Sequence, residues 1–313
     1  MARPFVSVLI DTYNHERFIE QAIVSAIEQD FPAGEREIIV VDDGSTDNTA
    51  QLLSQYQDDV RLVYRAHKNS GVAATRNYGV RLARGEFLAF LDSDDRWLPQ
   101  KLERQVQFAD AHPEYGLIAT EISNFNKRGA VETKNKAAAY RIKNGHVVEQ
   151  LLFGNWIQTS TVLARRECVQ AVGGFDEDVG QFGEDWLTWM RIASRSAIYF
   201  LPEPLVEYRI HEESLTSHMP EAQYESLMKI LEKLEALPQF QANPKLLRSA
   251  RYKVCLGRGY SDLSYGAYDL AISKLRTACT MKRVPVNAMR LILQAMVAKR
   301  LVARAARPSR ENV

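Results

Sequence analysis

The sequence predicts an α/β protein in which a Rossmann-like, mostly parallel central sheet is flanked by helices and followed by an all-helical C-terminal extension. Three observations predict it. Over the first hundred residues short β-branched runs alternate with helical patterns, the signature of βαβ units. Aspartates fall directly after those runs, at the carboxyl ends of the strands, where an open α/β sheet binds ligands. From about Met219 onward only helical periodicity remains.

Val6 to Ile10 is the first apolar run, and HERFIEQAIVSAIEQD behind it repeats Phe18, Ile19, Ala22, Ile23, Ala26 and Ile27 at helical spacing. Glu37 to Val41 is the second; GSTDNT after it supplies hydroxyl and carboxylate side chains suited to a helix N-cap. A third run, Val60 to Tyr64, leads into a predicted helix from about Gly71 to Ala83, and Glu86 to Leu91 is the fourth. The runs are short and apolar on both faces, as strands covered by helices on both sides require. After Trp97 the pattern predicts a helix to about Ala111, then a strand at Tyr115 to Thr120. The polar stretch Asn124 to Asn144, with Lys127, Arg128, Lys134, Lys136, Arg141 and Lys143, reads as a loop or hairpin. NWIQTSTVLARRECVQAVGGFDE follows as strand and helix, GEDWLTWMRIA as an amphipathic helix, and Tyr208, Arg209 and His211 come after another short strand. In the helical extension Gly259, Gly266, Tyr268, Ala271, Leu275 and Ala278 match the small-and-aromatic spacing of one tetratricopeptide-like hairpin.

Composition narrows the function classes. The 313 residues are 46% hydrophobic and 25% charged, enough for a sizeable core. Forty basic and 39 acidic side chains nearly cancel, so no global field recruits nucleic acid, and none is expected as a partner. Cys168, Cys255 and Cys279 are odd in number and lack the spacing of a zinc or redox site. A reducing, cytoplasmic setting is expected. No apolar stretch approaches the roughly 18 residues of a membrane span.

The chemistry-bearing residues cluster at strand ends. FLAFLDSDD sets Asp92 and Asp94 two apart where alternation stops, so that both carboxylates can turn toward one point. Hard divalent cations take such oxygens, with substrate phosphates completing the shell; a solvated Asx turn is the plainer alternative. Asp42 and Asp43 can accept from a nucleotide's base or ribose, or simply form a turn and helix cap. Thr12, Tyr13 and Asn14 can flank the same base. Arg76 suits bidentate phosphate contacts or a surface salt bridge. Glu184 and Asp185 open a helix, where acids either complement the dipole or act on a hydroxyl held within reach.

Together these segments resemble the family 2 glycosyltransferases, with their GT-A fold. VSVLIDTYN, EIIVVDDGSTDNT, GVAATRNYG, GEFLAFLDSDDRWLPQKLE, GGFDE, GEDWLTWMRIA and EYRIHEESLT stand in family order over about the first 215 residues. The resemblance implies a GT-A domain at residues 1–218, its nucleotide-sugar half about 1–110 and its acceptor half about 111–218, followed by a helical region at 219–313. It implies that Thr12, Tyr13, Asn14 and Asp42 or Asp43 hold the nucleoside, and that Arg76, Asp92 and Ser93 lie near the diphosphate or sugar. Asp94 would be the metal ligand, joined by His211, for Mn²⁺ or Mg²⁺. Asp185 aligns with the catalytic base of an inverting displacement. The implied partners are a nucleotide-sugar donor, a UDP-sugar foremost, and a saccharide or lipid-linked acceptor, in polysaccharide or envelope synthesis. Asp11 departs from the family, which usually has proline before Thr-Tyr-Asn.

The Asn124 to Asn144 stretch is a candidate lid or acceptor contact. From Lys282 to Arg310 the chain carries eight basic residues and no acid, interleaved with apolar ones, so this tail, about 282–313, suits either an anionic membrane surface or docking on its own protein. A sugar-phosphate nucleotidyltransferase would be expected to show a glycine-rich loop after the first strand, which DTYNHERF lacks; a dehydrogenase fails for want of G-x-G-x-x-G. A non-catalytic scaffold, with the carboxylates as caps and the helical tail as binding surface, is the alternative of another class.

Overall fold

The computed structural model describes residues 5–56, 62–66, 69–131, 136–180, 182–211, 221–282 and 285–305. Two compact units divide the chain, Met1–Ser217 and His218–Val313.

The first unit begins β1 (Val6–Thr12), α1 (Ile19–Ile27), β2 (Arg36–Asp42), α2 (Thr49–Ser54), β3 (Leu62–Ala66), α3 (Val72–Leu82) and β4 (Phe87–Asp92). It continues with β5 (Arg96–Trp97), α4 (Lys101–Ala111), β6 (Tyr115–Asn126), β7 (Gly129–Val131), α5 (Lys136–Tyr140) and α6 (Val148–Leu152). One 3-10 turn, Thr159–Thr161, precedes β8 (Leu163–Arg165), α7 (Arg166–Ala171), α8 (Glu184–Ala193) and β9 (Ala197–Arg209). The strands form one nine-stranded sheet in the order β3-β2-β1-β4-β8-β6-β9-β5, with β7 on β6. β1 pairs in parallel with both β2 and β4, and β2 with β3, while β8 runs antiparallel between β4 and β6.

Chain order thus reverses direction across the sheet at β1, which leaves a crevice beyond the carboxyl ends of β1 and β4, the switch point at which open α/β sheets bind ligands. Register puts polar side chains there in pairs: Asp11 stands opposite Asp92, and Thr12 opposite Asp42. Core packing explains why the middles of these strands are apolar on both faces. Val8, Ile10, Ile38, Val40, Ala89 and Leu91 lie on one side against Ile19, Ile23 and Leu102. Leu9, Ile39, Leu88 and Phe90 are buried on the other.

Three sequence expectations are refined. The strand after Ala111 runs on to Asn126, because β6, of 12 residues, pairs with the 13-residue β9 across register shifts. Tyr208 and Arg209 therefore lie within β9 rather than after it. Trp97 itself belongs to β5, antiparallel to β9, and the helix expected after it, α4, starts at Lys101. Of the basic stretch from Asn124, the described part holds the β6–β7 hairpin and α5, whose first N–H groups, at Lys136 and Ala137, both donate to the Glu121 carboxylate.

Lys101 is fully buried, its ammonium 4.0 Å from the Trp97 ring and 2.7 Å from Gln105 Oε1. Burial drives its pKa well below the ordinary 10.5. Between the lowered value and 10.5 the unfolded chain binds a proton that the folded chain does not, so stability rises with pH across that window. Lys101→Met is expected to flatten the rise in denaturant titrations at a series of pH values; an unchanged slope would mean that the amine is charged in place.

The second unit consists of α9 (Glu221–Lys233), α10 (Pro238–Ala242), α11 (Pro244–Ser264), α12 (Tyr268–Met281) and α13 (Val286–Ala305). The predicted hairpin is α11–α12, and Gly259 has a steric reason: a Cβ there would meet Leu275 at 2.5 Å. Ala271, Leu275 and Ala278 are all fully buried. Among the described residues, no helix is long and apolar enough to cross a membrane.

Candidate active site

Arg76, on α3, is the hub at the carboxyl edge of the sheet. Its Nε donates to Asp11 at 2.9 Å, Nη2 to Asp92 at 2.7 Å and Nη1 to Glu184 at 2.6 Å. One guanidinium thereby ties the ends of β1 and β4 to the first turn of α8, and Asp11, the departure from the family pattern, is part of the cluster. Beneath it the Phe175 ring lies 5.6 Å from the guanidinium and packs edge-on against Phe90 and Trp189.

The loop carrying Phe175 is held by the residue next to Arg76. Asn77 Nδ2 donates to the Phe175 carbonyl and its Oδ1 accepts the Phe175 N–H, both at 2.8 Å. Gly174 must be glycine here, with φ +72° and Asn77 Oδ1 only 2.5 Å from where a Cβ would sit. The RN and GGF phrases, a hundred residues apart, are two halves of one contact.

Carboxylates outnumber the cation, and burial decides their state. Burial raises Asp92 to about 8 and Glu184 to about 7, against the lowering pull of Arg76. It also raises Asp185, again opposed by Arg76 and by hydrogen bonds. Asp185 Oδ1 accepts the Trp186 N–H at 2.6 Å, and Oδ2 accepts from Thr159 Oγ1 at 3.3 Å. Gly183 reaches φ +79° just before α8, turning Glu184 and Asp185 into the edge.

The Asp92–Asp95 turn faces β9. Burial alone would raise Asp94, but the His211 Nε2–H donated across 3.0 Å and the nearby His15 hold it below the usual carboxylate range. His211 Nδ1 is buried with no partner. Asp95 is structural: it accepts from Ser160 Oγ at 2.6 Å and from the Arg209 N–H at 2.9 Å, and burial pushes its pKa well up. Ser93 Oγ lies 2.6 Å from His15 Nδ1.

Around the first loop, Thr12 Oγ1 is buried without a partner, and the Tyr13 ring is exposed. Asn14 takes φ +54°, a conformation that asparagine tolerates, and its side chain accepts the Thr46 N–H at 2.7 Å. Asp42 accepts the N–H and hydroxyl of Ser45, the turn-forming role weighed above, and Asp43 accepts the N–H groups of Ser70 and Gly71. These contacts bring Thr12, Asn14, Asp42, Arg76, Asp92, Asp94, Asp185 and His211 to one edge of the sheet. Sequence reasoning weighed Glu184 together with Asp185 and left out Asp11, His15, Thr159 and Ser160 as site residues. The missing proline signalled Asp11; no local pattern marks the other three, which meet the site from distant segments.

A divalent cation fits this edge. Asp94, kept ionised, and His211, in the tautomer whose proton sits on the partnerless Nδ1 and frees Nε2, offer an oxygen and a nitrogen converging on one point. Among the described residues no group of three such side chains forms a complete site, so phosphate oxygens would have to finish the shell.

The chain is similar to known proteins in sequence and in fold. The model of a family described as "Glycosyl transferase family 2" matches residues 7–162. A putative teichuronic acid biosynthesis glycosyltransferase of Bacillus subtilis, TuaG, is 30% identical over 231 residues, 69% of this chain and 83% of that protein. An uncharacterized glycosyltransferase of Rickettsia felis is 29% identical over 287 residues, 89% of this chain but 46% of the relative, so the chain spans about half the length of that protein. Among solved structures, S. aureus TarS 1-349 in complex with UDP-GlcNAc has a TM-score of 0.63 at 21% identity, over 99% of this chain and 94% of that one. Mannosyltransferase PcManGT from Pyrobaculum calidifontis, in complex with GDP-Man and Mn²⁺, has a TM-score of 0.64 at 22% identity, over 97% and 83%. At these identities the structural likeness is one of fold, and the fold is GT-A.

Proposed function

Because this chain belongs to glycosyl transferase family 2, we propose that it is an inverting enzyme that moves a sugar from a nucleoside diphosphate, a UDP-sugar foremost, to a hydroxyl of a saccharide or lipid-linked acceptor. The observation that carries this reading is the Arg76 bridge, which joins the D-x-D turn at Asp92 to the Glu184–Asp185 turn. A donor site and a base have to be neighbours for a single displacement, and that bridge supports their being so.

Thr12, with its partnerless hydroxyl, and Tyr13, with its exposed ring, would receive the nucleoside beside Asn14, Asp42 and Asp43. Arg76, Asp92 and Ser93 would orient the sugar and diphosphate. Asp94 and His211 would hold a divalent cation, Mn²⁺ or Mg²⁺, which when bound neutralises charge on the departing diphosphate. Asp185 would take the proton from the acceptor hydroxyl as its oxygen bonds to the anomeric carbon. The bond from that carbon to the diphosphate breaks on the opposite face, its electron pair leaving with the phosphate oxygen, and configuration inverts. TarS and PcManGT, with UDP-GlcNAc and GDP-Man bound, support a nucleotide-sugar donor for this chain.

Thermal-shift measurements with UDP-, GDP- and dTDP-sugars in Mn²⁺ test the donor; stabilisation by none of them sinks the reading. Asp94→Ala is expected to cut metal-dependent donor hydrolysis at least about 100-fold, as loss of a group stabilising transition-state charge does elsewhere. Hydrolysis that persists in both Asp94→Ala and chelator would remove the cation from the mechanism.

A further inference from the structure

Helix α13 turns most of its larger apolar side chains away from the core of its own unit. Ala288 and Ala295 are fully buried, and Leu291 and Ile292 pack on the small core around Cys255 and Leu275. Val286, Met289, Leu293, Met296, Val297 and Leu301 are instead 40–64% exposed. At 3.6 residues per turn those six share an arc of roughly 140° opposite the packed side. A surface helix ordinarily shows the reverse, apolar inward and polar outward.

Arg290 and Arg300 stand inside the same arc, and among the described residues neither has an acidic partner. Beside the arc a cleft of about 580 Å³ is lined by Lys253, Leu256, Tyr260, Arg290 and Leu291, with Tyr260 largely exposed. From Lys282 to Arg310 the sequence holds no acid to offset these cations.

We propose that the outer arc of α13 docks on an anionic phospholipid surface. Its apolar side chains would enter the headgroup–acyl boundary, while Arg290 and Arg300 extend to lipid phosphates. Charge selects this occupant over a second copy of the chain, since two-fold pairing of the face would set the arginines of one copy against those of the other. The inference does not rest on the enzymatic reading, and a lipid-linked acceptor is not required for it.

Flotation of the full chain with phosphatidylcholine vesicles, with and without phosphatidylglycerol, tests it. The protein is expected to float with the anionic vesicles only, and less so as salt rises. Arg290→Glu with Arg300→Glu is expected to weaken binding at least about 30-fold, at about 1 kcal/mol per cation lost. Leu293→Ser with Val297→Ser is expected to weaken it as well, with an unchanged far-UV circular dichroism spectrum and thermal unfolding midpoint as the measure of intact folding. Flotation unaffected by both pairs of substitutions, or absent on anionic vesicles, overturns the proposal. So does a wild-type dimer that the serine pair converts to monomer, which would put a second copy on this face.

Discussion

Asp185→Asn is expected to lower kcat by about 10²–10⁴-fold, the usual contribution of a positioned general base, with donor-induced thermal stabilisation retained. Asparagine keeps the outline of the side chain. Its oxygen can still accept the Trp186 N–H, and its amide can donate to Thr159 Oγ1, so both contacts of the carboxylate survive in altered form. What is lost is the capacity to take a proton. Burial lifts the Asp185 pKa above the ordinary 3.8 despite Arg76, which favours a base working near neutrality. The acid limb of the wild-type kcat profile should accordingly lie above that ordinary value and vanish in the variant. Single-turnover transfer at saturating donor measures both. A kcat within about threefold of wild type, against the 10²-fold lower bound for a base, would assign proton acceptance to another group.

Much of this site was legible from residue order alone because a parallel sheet converts it into position. Strands β1, β2 and β4 are apolar runs that end in acids, and their parallel pairing must bring those ends to one edge. The D-x-D turn and the ED pair were visible for the same reason. Less visible was what binds what. Arg76 suggested a phosphate ligand or a surface salt bridge; it is instead buried, with three of its N–H directions on carboxylates 16, 65 and 108 residues away in sequence. Asp11 looked like an irregularity in the first loop, but register with Asp92 makes it a second acid that needs the same cation. Strand β5 escaped notice because two residues carry no periodicity, and only its partner β9 defines it. The helical extension followed the opposite rule: its hairpin was recognisable from small residues, but which side of α13 is covered depends on packing that spacing cannot resolve.

Arg76→Met should destabilise the first unit by about 3–5 kcal/mol near pH 8, the range found when one partner of a buried ionic group is removed, and by less at pH 5. The guanidinium is 7% exposed and faces Asp11, Asp92 and Glu184, with Asp185 close enough to act through charge. Without it, ionised carboxylates are left buried against one another, and each escapes only by taking a proton. Glu184 fixes the sign. Its folded pKa of about 7 exceeds the ordinary 4.5, so its stabilising contribution is complete below 4.5 and is lost as pH rises through about 7. The whole shift corresponds to roughly 3 kcal/mol. Losing the cation removes the largest influence pulling Glu184 downward and moves that loss to higher pH, which is why the variant should approach wild type in acid. Glu184→Gln should flatten the wild-type decline between 4.5 and about 7, since an amide has nothing to titrate. Arg76→Lys keeps the charge but cannot serve three acceptors in fixed directions, and should fall between the two. Chemical denaturation of the four proteins across pH reads all of this. A destabilisation of Arg76→Met that stays constant from pH 5 to pH 8 would mean that the guanidinium acts by filling space, and the cluster would not be held by charge.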